Sequence, residues 1–261
     1  MRLMQKQSPI MRQREQGVAL LTIIIFVLLT MLMALWASRT AIFNEMLVGN
    51  DADYQRAYEA AQALVQDAEL DIRGERANGT ACTPPASAPA DPAGRSGVIC
   101  RDGASITKFP LEETEVGPLL ATLGNVSGVQ CKDSICAKQT GKLDFWNNAD
   151  AQLGVTLKQM TVSGIGARYG EYTGALKGAT SNPILTETSD DLGGWYWIEI
   201  MPYDPAAGNS GLISNGSTNL ALNLKPNVAY RITALAYGRK STESRSKVVL
   251  QQTYVRQVTK D

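Results

Sequence analysis

Histidine is absent from all 261 residues. That removes the commonest general base, the commonest metal ligand and most hydrolytic triads together, so catalysis is disfavoured from the outset. Net charge is absent as well. The 25 basic side chains balance 25 acidic ones, which leaves no overall field to draw the chain onto nucleic acid or acidic lipid. Cysteine is missing from the whole N-terminal part and then occurs four times, at Cys82, Cys100, Cys131 and Cys136. An even count lying entirely beyond an apolar segment fits disulfides in an oxidising compartment. Three connectivities are possible, and loop proximity favours Cys82 with Cys100 and Cys131 with Cys136. A zinc site is the competing reading, but one close pair and two scattered cysteines make poor ligand spacing.

Charge is missing locally too. From Val18 to Ala37 there is no ionisable side chain and only two hydroxyls, Thr22 and Thr30. At 1.5 Å per residue these residues make about 30 Å of helix, the thickness of a bilayer's hydrocarbon core. Arg2, Lys6, Arg12 and Arg14 stand before this run against a single acid, Glu15. By the positive-inside rule the leader stays in the cytoplasm and everything after about residue 40 is exported. A secretory signal would place a small-residue cleavage site after a shorter core. Ala34 to Ala37 passes only weakly for one.

Proline is absent from Ser38 to Arg73, and Gly49 is the only glycine there. The residues at 54, 58, 61, 65, 68 and 72 step by four and three along one helical face, which must pack on something. Asp53, Arg56, Gln62, Gln66 and Asp67 are expected on the opposite, solvated face. Gly74 closes the pattern, so one helix is predicted from Val18 to about Arg73, weakest at Gly49-Asn50-Asp51. Beyond it lies a loop-rich region with a proline cluster at 83–92, and a short helix is read within 117–128. About 185 residues follow the helix, enough for one medium domain.

From Leu153 the texture turns to β structure. Val155 to Val162 alternates, Trp195 to Met201 is aromatic and β-branched, and Ala229–Tyr237 with Lys247–Arg256 reads as an antiparallel hairpin. The fold class expected is therefore α+β. A long N-terminal helix packs its amphipathic half on an antiparallel sheet, and the middle is irregular and disulfide-bonded.

Several residues invite sharper readings. Asp190, Asp191, Asp204 and Asn209 offer oxygen ligands for calcium, yet they lack the alternation of an EF-hand loop, and exposed turn acids are common. The triplets at Asn78, Asn125 and Asn215 match a glycosylation pattern and are taken as turns. Tyr54 and Tyr58 are expected to pack on the sheet, and the Trp195-Tyr196-Trp197 run to fill the core. No metal and no cofactor is expected.

The chain resembles a type IV pilin precursor, and more narrowly a minor pilin of the PilX kind. The residues that carry this are the basic leader ending in Gly17, the block Val18-Ala-Leu-Leu-Thr, Arg39 to Asn50, Tyr58 to Leu64, Tyr230-Arg-Ile-Thr-Ala and Val248 to Tyr254. The match is dense over residues 12–74 and 229–256, and the middle carries no signature. The resemblance implies a prepilin peptidase cutting after Gly17 and methylating Val18. It implies residues 1–17 as cytoplasmic leader, 18–37 as membrane span and later fibre core, 38–75 as amphipathic helix and 76–261 as periplasmic head. It further implies a single-pass inner-membrane protein that passes into the pilus, with no enzymatic activity and no direct contact with nucleic acid. Its partners would be other minor pilins, the major pilin, the inner-membrane pilus platform and a tip adhesin.

Two departures from the major pilins matter. They carry glutamate at the fifth mature position, where this chain has Thr22, and they bracket a C-terminal loop with a disulfide that this chain lacks. Thr22 is expected to back-bond to the Val18 carbonyl. Both departures favour a minor pilin, and the missing acid suits a place at the tip. A tip pseudopilin of type II secretion is the alternative. A bitopic receptor or enzyme with a periplasmic domain, its N-terminus uncleaved, is the second.

Overall fold

The structure is a computed structural model that describes residues 12–82, 100–101, 106–126, 128–138, 144–175, 181–189, 192–202, 226–240 and 245–256, with backbone only for 12–17. The calcium candidates at 190, 191, 204 and 209, the proline cluster and Asn215 lie outside the described residues. The chain divides into two units, Met1–Ala52 and Asp53–Asp261.

One helix, α1 (Arg12–Arg73), takes in the whole apolar run and the amphipathic stretch after it. No break in helical hydrogen bonding occurs at Gly49-Asn50-Asp51. The helix stops where Gly74 adopts φ of +69°. There the Gly74 N–H donates to the Asp71 carbonyl and the Glu75 N–H reaches back to Leu70, each at 3.0 Å. This pair of bonds is a Schellman ending, and a glycine takes its left-handed residue at least cost.

In the second unit the sheet has the order β1 (Cys131–Lys132), β2 (Ile135–Ala137), β3 (Gly194–Pro202), β4 (Val228–Tyr237), β5 (Lys247–Tyr254). The expected hairpin is β4 and β5, antiparallel from Tyr230↔Tyr254 to Tyr237↔Lys247. The sheet as a whole is mixed, because β2 pairs with β3 in parallel, Ile135 opposite Ile198. Strands of two and three residues are too short to show a period, so this pairing left no trace in the pattern.

Two helices precede β3 where the sequence reads differently. The expected short helix begins earlier than 117, as α2 (Glu113–Gly124), with Glu115 Oε2 accepting the Leu111 N–H at 2.7 Å. The stretch 155–162, expected as a strand, is instead the helical turn α3 (Leu157–Met160). Its cause is a capping box: the Thr156 hydroxyl accepts from the Gln159 N–H, and Gln159 Oε1 accepts from the Thr156 N–H at 2.9 Å. Two satisfied end donors outweigh a weak alternation. A last short helix, α4 (Pro183–Thr186), leads toward β3.

Strand β3 is buried on both faces. Tyr196, Ile198 and Ile200 join the core formed with α1, while Trp195 and Trp197 join a second cluster with Cys131, Cys136, Met160 and Leu235. The tryptophans thus fill core, as expected. On α1 the buried positions include Ala57, Ala60, Ala61, Leu64, Val65, Ala68 and Ile72. Tyr54, expected inside, is 47% exposed, and Asp53 and Asp67, expected in water, are buried. Small residues make the close contact here, so a face traced by its larger side chains points to one side of the true one. The fit is tight: a Cβ on Gly194 of β3 would lie 2.5 Å from Leu64 Cδ1.

Two disulfides consume all four cysteines, Cys82–Cys100 and Cys131–Cys136. That overturns the zinc alternative, since no thiolate remains to bind metal. The second bridge crosses the β1–β2 hairpin between directly opposed residues. Its two-residue turn, Asp133-Ser134, has φ of +53° and +65°, the twist a tight hairpin demands.

Candidate functional site

The first unit presents an apolar rod. From Val18 to Trp36 every large side chain is exposed, Trp36 to 74%. The helix is long and apolar enough to cross a membrane. Such a surface requires a non-aqueous neighbour, whether lipid or other helices. The Thr22 hydroxyl donates to the carbonyls of Val18 at 3.0 Å and Ala19 at 2.8 Å. The expected back-bond to Val18 is present and is shared with Ala19. Thr30 does the same to Val27 at 2.9 Å. Both hydroxyls are spent on their own helix, so the rod is apolar in effect as well as in composition.

In the second unit, the end of α1 is held by three buried carboxylates. Asp53, Asp67 and Asp71 are separated by fourteen and four residues, spacings close to whole turns, so all three project from one narrow stripe. Burying a carboxylate is costly unless it is paired or hydrogen-bonded. Each finds a different answer.

Asp53 sits against the turn between β4 and β5. Its Oδ1 accepts the Arg239 N–H at 2.7 Å and its Oδ2 the Ser246 N–H at 3.3 Å. Burial pushes the carboxyl up, but the backbone donors of Arg239, Ser246 and Lys240 and the Ser246 hydroxyl together outweigh it and hold it below the usual value. Gly238 makes room, because a Cβ there would overlap the Asp53 carboxylate. Gly238→Val should therefore cost about 1–3 kcal/mol by overpacking. The denaturant midpoint checks this against Gly117→Ala, a site in α2 with open space around it, which should be neutral or slightly stabilising.

Asp67 faces the bend at 168–174. Its Oδ2 accepts the Gly170 N–H at 2.7 Å and its Oδ1 the Thr173 hydroxyl. Asp71 makes the strongest of the three contacts, a two-armed ion pair with Arg101. The Arg101 Nε and Nη2 donate to its two oxygens, each at 2.6 Å, and the Tyr196 hydroxyl donates to Oδ2 at 3.1 Å.

Arg101 is the hub of this region. Beyond Asp71 it donates to the carbonyls of Thr107 and Asp133 at 2.9 Å and to Ser134 Oγ at 2.8 Å. Its guanidinium lies 3.9 Å from the Tyr172 ring centroid and 4.7 Å from that of Phe109. Burial pulls its pKa down, yet Asp71 more than compensates and the group ends above its usual value. The neighbouring Tyr172 and Tyr196 hydroxyls are pushed up, chiefly by burial. One side chain thus joins α1, the 106–110 segment, the β1–β2 turn and, through its neighbour Cys100, the first disulfide.

The sequence reading treated Asp53 and Asp67 as solvated and passed over Asp71 and Arg101. The signal that was there is the turn-matched spacing of three acids beside buried alanines. Tyr58 is half-buried against the core, in keeping with a packing role. Gly17 and Val18 lie within α1, and Val18 is exposed. Among the described residues no group of three or more acids or cysteines is arranged to hold a metal.

An exposed apolar helix at the N-terminus, and in the second unit a helix packed on a sheet with two disulfides, define the class: a pilin-like α+β protein. Residues 132–256 match the family model PilX, described as Type IV pilus assembly protein PilX C-term. Over those residues the chain is similar to that family, and the match supports a PilX-type pilin. At a coarse level the match supports a minor pilin of type IV pilus assembly, in a family that is a structural component of the pilus and associates with other pilus components. The match takes in the middle of the chain, which carries no visible signature of its own. The apolar helix and the family together fit inner-membrane anchoring and a pilus. No curated protein and no solved structure matches the chain.

Proposed function

We propose that this minor pilin primes the fibre from its tip and helps to display an adhesin there. Prepilin peptidase removes residues 1–17 after Gly17 and methylates Val18. Residues 18–37 then pass from the bilayer into the fibre core, residues 38–75 carry the helix onward, and 76–261 form the periplasmic head. The same apolar rod serves lipid first and neighbouring helices afterwards.

The observation that carries the tip reading is Thr22. A subunit that follows another into a fibre meets, in an apolar core, the charged amino terminus of the subunit already ahead of it, and a carboxylate at its own fifth mature position is a strong attraction for that charge. Thr22 has no charge to offer, and its hydroxyl is already bonded within the helix. A subunit with nothing ahead of it needs no such partner. Thr22→Glu should therefore raise the protein's copy number in sheared fibres by letting it enter the shaft. Quantitative mass spectrometry reads the ratio to major pilin, and an unchanged ratio would remove the support that Thr22 gives to the tip position.

A further inference from the structure

The two edges of the sheet are treated differently. The β1 edge is two residues long and is cross-linked to β2 by Cys131–Cys136. The β5 edge is eight residues long and pairs with β4 without interruption, so it has no bulge. Its interior, Val248-Val-Leu-Gln-Gln-Thr-Tyr254, holds no proline and no charge. Lys247 at its start is drawn aside, its ammonium donating to the Trp146 carbonyl at 2.7 Å and to Asn147 Oδ1 at 3.1 Å. Proteins usually guard a long edge strand with charge, proline, a bulge or a cover, because its free N–H and C=O groups template another strand. Among the described residues no strand pairs with the far side of β5.

The direction of the free groups follows from the register. The Tyr237 N–H donates to Gly193 of the β3 side, and the Gly238 N–H to Ser246 of the β5 side. Alternation then points the N–H and C=O of Val248, Leu250, Gln252 and Tyr254 at β4, and those of Lys247, Val249, Gln251 and Thr253 away from the sheet. Gln251, Gln252 and Thr253 are exposed.

We propose that the outer edge of β5 is a docking strand, onto which a partner protein adds an extended, acid-bearing segment. The charge around the strand selects that occupant. Residues 245–256 hold Arg245, Lys247 and Arg256 and no acid, and against these three cations the Glu69 carboxylate of α1, which accepts from Gln252, is a single negative charge, so the complement is a strand with carboxylates near its ends and β-forming residues between. A second copy of this chain fits badly. Its own strand brings the same three basic residues and no carboxylate. Backbone bonds supply the affinity in this mode and the flanking charges the selectivity. The proposal gives a surface to the assembly role above and rests on that role for the existence of a partner.

The test uses the full chain in detergent micelles and two synthetic peptides, acetyl-Glu-Val-Thr-Val-Thr-Val-Glu-amide and its counterpart with lysine in place of both glutamates. Residue-resolved amide exchange is read along β5. Without peptide, the amides of Val249, Gln251 and Thr253 should exchange at least about tenfold faster than those of Leu250 and Gln252. The acidic peptide should slow the outward set about tenfold or more, and the lysine peptide should leave it unchanged. Thr253→Pro deletes one outward N–H and spares the β4 ladder, so it should abolish the slowing while keeping the melting temperature. Outward amides already protected in the free chain, no slowing by the acidic peptide, or equal slowing by both peptides would overturn the proposal. Fibre incorporation is not read here, so a failure of the tip role leaves this result intact, and the reverse holds too.

Discussion

Arg101→Ala should destabilise the head by about 3–5 kcal/mol, the cost of leaving a buried carboxylate without its partner. The substitution strands Asp71 and releases the Thr107 and Asp133 carbonyls and Ser134 Oγ, all of which Arg101 now satisfies. For a unit of this size the melting temperature should fall by roughly 10–15 °C. Packing alone does not explain such a loss, so a second variant separates the causes. Removing both charges together, as Asp71→Leu with Arg101→Met, should cost distinctly less than the single change, because no bare charge remains. Thermal melts of the two variants check this. A single variant within about 1 kcal/mol of the parent would show that Asp71 reaches water in the native head.

Gly17→Ala should leave the whole protein as unprocessed precursor, one leader longer than the mature chain, and exclude it from sheared fibres. A simple membrane anchor has no use for that glycine, and its Val18–Trp36 surface is as apolar with alanine before it. The two expectations differ in kind. Mass spectrometry of the N-terminal peptide reads the outcome: a methylated Val18 in the parent and an intact Met1 in the variant. An intact leader in the parent, in cells with an active peptidase, would end the processing scheme and restore the plain bitopic reading.

What the sequence made legible was structure set by local chemistry. The stop at Gly74 rests on one residue's freedom at positive φ, the β4–β5 hairpin on sustained β-forming runs, and the cysteine pairs on short loops. What it hid was set by tertiary choices. Asp53 and Asp67 look like a wet face because charge usually means water, and only the donors of Arg239, Ser246, Gly170 and Thr173 make their burial tolerable. Helix α3 was hidden behind an alternating pattern whose deciding residues, Thr156 and Gln159, act through end bonds and not through their faces. Strand β2 is too short to announce itself, and its parallel partner is far away in sequence. Gly17, Val18 and Thr22 were singled out through resemblance alone, and the Asp71–Arg101 hub was not legible at all.

The three aspartates also index the helix. An interface of alanines is smooth, and a smooth interface tolerates sliding or rotation at modest loss. Each carboxylate here fits one set of donors, one in the β4–β5 turn, one in the 168–174 bend and one on Arg101. Moving the last turns of α1 by one turn along the sheet strips all three at once and leaves three buried charges bare. The sheet and these turns of helix therefore share one axial and angular setting, fixed by polar teeth on an otherwise frictionless shaft.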